Sequence, residues 1–69
     1  MRPEFRIVVW KDMAMIAIHE ARHKDKAAAL RFIKRDLKQS AAGEVIIAVF
    51  EGQDGKFDNK VHCKDWTIP

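Results

Sequence analysis

The feature that most constrains this chain is a change of hydrophobic period that occurs twice. Residues 26–42 place Ala29, Leu30, Ile33, Leu37 and Ala41 on one stripe at helical spacing, with Phe32 at its edge. On either side the apolar residues crowd into short, β-branched runs. Phe5 to Trp10 is apolar apart from Arg6, and Met13 to Ile18 follows after a polar break at Lys11-Asp12. Beyond the helical segment, Glu44 to Glu51 reads as a strand, Gly52-Gln53-Asp54-Gly55 as a turn, and Lys56 to Trp66 as a return strand. Asp58-Asn59 is a second possible turn, so two registers are open for this hairpin.

Local chemistry supports the helix from Lys26 to Ala42. Asp25 suits the N-cap, Ala27, Ala28, Ala29 and Leu30 favour helix, and Gly43 suits a left-handed C-terminal residue. In the first hairpin a tight turn at Lys11-Asp12 would set Phe5, Ile7 and Val9 beside Ile18, Ile16 and Ala14. An Asp54-Gly55 turn would set Phe50, Ala48 and Ile46 beside Asn59, Val61 and Cys63. The expected fold class is therefore α+β: ββαββ over a single domain, residues 1–69, with a four-stranded antiparallel sheet and one helix packed on a face. The alternative is βαββ with one long helix from about Asp12 to Ala42. That helix would put Arg22 and Lys26 into the apolar stripe.

Size and composition narrow the function classes. A 69-residue chain buries only about 60% of its unfolded surface, so it has little stability to spare. With Cys63 as the sole cysteine, no internal disulfide can form. A lone cysteine and an N-terminus without a charged-then-apolar secretory pattern lead to the expectation of a reducing, cytoplasmic setting. No apolar run is longer than six residues, the length of Met13 to Ile18, which is too short to span a membrane. With 48% hydrophobic and 33% charged residues, the chain is globular in composition. A net charge of +3 permits, without requiring, contact with nucleic acid or an acidic protein.

Only one stretch spells catalytic chemistry. His19-Glu20-Ala21-Arg22-His23 fits the H-E-x-x-H pattern, which on a helix aims two imidazoles at one metal and offers the carboxylate as general base. The resemblance to zinc peptidases covers these five residues. The Gly-x-x-His extension of one large subgroup is missing, because Lys24-Asp25-Lys26 follows His23. On a continuous strand the two histidines would stand about 13 Å apart, too far to share an ion. His19 and His23 are thus metal ligands only on the long-helix alternative, and no cofactor is expected. His62 and Cys63 are adjacent and would point to opposite faces of a strand, so they cannot act as a dyad. Cys63 is expected to pack as a small apolar residue.

Two surfaces are stronger candidates. Lys24, Arg31, Lys34, Arg35 and Lys38 form a basic ridge opposite the helical stripe, able to meet phosphates or an acidic protein patch. The second candidate is the sheet face away from the helix, with Val8, Trp10, Met13 and Met15 as its expected partner-binding residues. One helix cannot cover both faces of four strands. The remaining face must meet a partner, a second copy of the chain, or a cover formed by Trp66-Thr67-Ile68.

The expectation is a non-enzymatic protein that binds and occludes a larger protein or nucleoprotein complex, with nucleic-acid binding through the ridge as the alternative. In length, charge richness and paired-hairpin layout the chain is similar to small phage-encoded proteins that inhibit host machinery, including some anti-CRISPR proteins. The resemblance implies a viral inhibitor of host defence or transcription working in the host cytoplasm. It assigns no residue.

Overall fold

A computed structural model describes residues 1–69. The chain runs β1 (Glu4–Lys11), β2 (Ala14–Arg22), α1 (Lys26–Ser40), β3 (Gly43–Gln53) and β4 (Lys56–Ile68). The four strands form one antiparallel sheet in the order β2-β1-β3-β4. This is the ββαββ arrangement, and residues 13–23 contain no helix, which removes the long-helix alternative. No helix is long and apolar enough to cross a membrane.

The helix begins as its sequence predicts. Asp25 caps it, its carboxylate accepting from the Ala28 backbone N–H at 2.8 Å. It ends earlier than predicted, at Ser40, with Ala41 in extended conformation as the C-cap. Gly43 does adopt a left-handed backbone (φ +90°), but as the first residue of β3 rather than as a helix terminator.

Ala29, Ile33 and Leu37 of α1 pack on Phe5, Ile7 and Val9 of β1 and on Val45, Ile47 and Val49 of β3, with Ile68 closing the far edge. Cross-strand partners share a face, so Ile7 and Val49, or Val9 and Ile47, point together toward the helix. Each fully buried side chain of this kind contributes about 1.5–3 kcal/mol of transfer free energy. The core is therefore a single layer between the helix and the two central strands.

Both hairpins depart from the expected register. The first turn is Asp12-Met13, with φ of +51° and +69°, and pairs Lys11 with Ala14. A bulge between Val9 and Trp10 adds a residue to β2. Phe5, Ile7 and Val9 consequently lie opposite Ala21, His19 and Ala17, not Ile18, Ile16 and Ala14. Ile18 moves to the other face beside Val8, because a one-residue shift inverts every side chain. The second turn is Asp54-Gly55 as predicted, and Asp58-Asn59 lies within β4. Two irregularities in that ladder each add a residue to β4, so Phe50, Ala48 and Ile46 pair with Lys60, Cys63 and Asp65 instead of Asn59, Val61 and Cys63.

This layout makes two stability expectations testable. Ile33→Ala empties a fully buried site and should lower unfolding free energy by about 2–5 kcal/mol in urea titration, whereas Ile46→Ala, on the uncovered face, should cost under about 1 kcal/mol. Met13 holds a left-handed backbone that costs an L side chain about 1 kcal/mol. Met13→Gly should raise stability by a similar amount, read as a higher urea midpoint with unchanged slope.

Candidate functional site

The sheet face away from α1 is built by alternation. With Phe5, Ile7 and Val9 turned inward, Arg6, Val8 and Trp10 turn outward on β1. Their neighbours are Met15 and Ile18 on β2 and Ile46, Ala48 and Phe50 on β3. Trp10 pairs with Met15 on one side and Ile46 on the other, and Val8 pairs with Ile18 and Ala48. These side chains are contiguous across three strands. Trp10 is 42% exposed, Met15 52%, Ile18 56% and Ile46 43%.

Of the four predicted residues on this face, Val8, Trp10 and Met15 are brought together. Met13 sits at the exposed turn tip rather than on the sheet, and lines a shallow groove with Trp10, Asp12, Glu44, Ile46 and Asp65. Ile18, Ile46 and Phe50 join the face without having been predicted as binding residues. Alternation in β3 was the available signal for two of them, since placing Val45, Ile47 and Val49 inside obliges Ile46 and Phe50 to face out. The C-terminus gives this face no cover: Trp66 packs against the core on the helix side and Ile68 is buried within it. Cys63 is exposed on the open side beside Ala48, contrary to its expected burial, while His62 faces the helix side beside Val49.

The open face has a polar margin. Arg6 donates to the Glu20 carboxylate, and its guanidinium lies 4.6 Å from the centroid of the Phe57 ring. Asp65 and Lys60 bound the opposite side through their pairing with Ile46 and Phe50.

The histidine pair is closer than a continuous strand would allow. β2 ends at Arg22, and the His23 N–H donates to the Pro3 carbonyl at 3.1 Å. The His23 ring turns toward His19, bringing the two Nε2 atoms within 3.1 Å, not the expected separation of about 13 Å. Phe32 stacks on His19 at 4.2 Å between ring centroids.

The geometry is that of a hydrogen bond. The His19 and His23 centroids are 5.3 Å apart, which exceeds the Nε2 separation by nearly two ring radii, so the rings meet head-on. One Nε2–H can then donate to the other Nε2, with the rings in opposite tautomers. A chelated ion would need both lone pairs to converge on a point about 2.0–2.1 Å from each nitrogen. Glu20 pairs with Arg6 on the other face, so it cannot act on anything held by the histidines, and no third His, Cys, Asp or Glu joins them.

The basic ridge is present in part as predicted. Arg31, Arg35 and Lys38 are exposed on α1. Lys24 precedes the helix, and Lys34 lies half-buried with its ammonium 5.3 Å from the Trp66 ring. The chain matches no family model, no curated protein and no solved structure.

Two histidines are held below the usual imidazole value. Partial burial lowers His23, with His19 and Arg2 adding to the effect. Partial burial lowers His62, with Lys26, Lys64 and Lys34 adding. A folded-state value below the unfolded one of about 6.5 means that the unfolded chain binds more protons as pH falls. Stability should therefore decline as pH drops through and below about 6.5. Urea unfolding between neutral and mildly acid pH should show this decline, and His23→Gln should shrink it.

Proposed function

We propose that this protein is a non-enzymatic binding protein that docks through the open face of its sheet onto a larger protein and occludes the surface it covers. The observation that carries this reading is the contiguous patch of Trp10, Met15, Ile18 and Ile46 on a face that no element of the chain covers. Contiguous apolar surface with a polar margin is the usual anatomy of an interface centre. Trp10 and Met15 supply large, adaptable contact area. The Arg6–Glu20 pair and Asp65 at the margin would set orientation more than affinity. A strained, fully exposed Met13 beside the same groove extends the patch beyond the sheet.

A protein partner fits better than a small ligand, because the face is broad, pleated and without a deep cavity among its apolar residues. Occlusion is the mode that suits a broad apolar face on a single small sheet-and-helix unit. That mode accords with the similarity in layout to small phage-encoded inhibitors.

The test combines association state with site-specific capture. Sedimentation should find the isolated protein monomeric. A photocrosslinking residue in place of Ile18 should attach to one protein of the native host. With that protein purified, Ile18→Glu should weaken binding at least about 100-fold, and Arg35→Ala should leave it unchanged. A stable dimer that crosslinks only to itself through this position would overturn the reading, assigning the face to self-association.

A further inference from the structure

A second surface lies on the other side of the molecule, where α1 runs over the edge strand β4. His62, Lys64 and Trp66 all face the helix side of that strand, through their pairing with Val49, Ile47 and Val45. Lys26 at the start of α1 reaches the Val61 carbonyl at 3.5 Å, and Lys34 sits over the Trp66 ring. Lys26, Lys34 and Lys64 are all close enough to His62 to disfavour its protonation. The only two ion pairs of the protein are Arg6–Glu20 and Arg22–Glu4, so none of these three lysines has a carboxylate partner. The nearby acids are otherwise placed: Asp25 caps the helix, and Asp36 lies on the Phe32 flank by helical rotation.

We propose that this strip binds the phosphodiester backbone of a nucleic acid, with Lys26, Lys34 and Lys64 on phosphates and the exposed Arg31, Arg35 and Lys38 extending the track. Between Lys26 and Lys38 α1 carries five cations over about 18 Å of its length, turning from the β4 side at Lys26 and Lys34 to the outward face at Arg31, Arg35 and Lys38. A phosphodiester chain is the polyanion with matching continuity, and gathering unpaired cations beside it releases condensed counterions. Lysines on an edge strand also deter sheet-to-sheet pairing, but that role does not call for two helical lysines to reach over to Val61 and Trp66 of the same strand. The Trp66 ring holds the Lys34 ammonium in place, so the cation is partly ordered before a ligand arrives. This inference is independent of the open sheet face, which lies on the opposite side of the sheet.

Fluorescence anisotropy with a labelled oligonucleotide of about twenty nucleotides, single-stranded and duplex, tests it between about 50 and 200 mM salt. Affinity should fall steeply with salt. Lys34→Ala combined with Lys64→Ala should weaken binding about tenfold and flatten the salt slope by about 0.7–0.9 for each lysine removed. Lys56→Ala, beside the Asp54-Gly55 turn at the far end of β4, should change neither quantity. Circular dichroism establishes that the double variant is folded. Absence of salt-dependent binding to either nucleic acid would overturn the proposal. So would an unchanged slope in the double variant, or tighter binding to polyglutamate than to both nucleic acids, which would assign the strip to an acidic protein.

Discussion

One helix of fifteen residues cannot cover two faces of a four-stranded sheet, and the architecture follows from that constraint. The apolar stripe of α1 covers the inner face of β1 and β3, and the fully buried residues come from that contact and its edge. Apolar side chains nevertheless occupy both faces of β1 and β3. Val8, Trp10, Ile46 and Phe50 contribute little to closing the core and are left beside one another outside it. A chain that buries so little of its surface gains from every apolar residue placed inside. Its retention of Trp10, Met15, Ile18 and Ile46 in the open is the physical basis for reading that face as a binding surface.

Element types were legible in the sequence because each has a redundant signal. The helix has a capping aspartate, an alanine-rich first turn and an apolar stripe; the second hairpin has Asp54-Gly55. Registers were not legible. The first turn uses Asp12-Met13, a pair without the glycine or asparagine that marks left-handed backbone, so nothing local distinguished it from Lys11-Asp12. The bulges carry even less signal, since an extra residue in an apolar or polar run leaves composition unchanged. One such residue decided whether Ile18 lay inside or out. The bound on sequence reading here is positional: which residues are strand was clear, and which face each presents was settled by single-residue offsets.

The His19-Glu20-Ala21-Arg22-His23 pentapeptide shows how secondary structure assigns chemistry to a motif. On a helix the glutamate and both histidines can serve one ion. On β2 the glutamate faces Arg6 across the open side while His19 faces the helix. The histidines still meet, but only because β2 ends at Arg22 and the His23 backbone is tied to Pro3. They meet nitrogen to nitrogen, with Phe32 stacked on one ring. The pair thus links the end of β2 to the outer flank of the helix, where Ala17 and Ala21 are too small to fill the space. His19 and His23 stand half-buried at an edge where β2 otherwise turns only alanines toward the helix.

The two proposed surfaces are consistent with one another because the sheet separates them. The open face is apolar with mixed charge at its margin, while the helix and β4 side carries unpaired cations. A partner docked on the sheet would leave the cationic strip free, so both could be engaged at once. If both surfaces bind components of one nucleoprotein complex, the second association becomes intramolecular and overall affinity exceeds that of either alone. Such coupling requires that protein and nucleic acid lie about one sheet-and-helix thickness apart, roughly the 10 Å spacing of packed layers plus the helix radius. A small rigid domain imposes that spacing strictly, because it has no linker to adjust it. Selectivity for the complex over its separate components would then come from the thickness of the domain as much as from either surface.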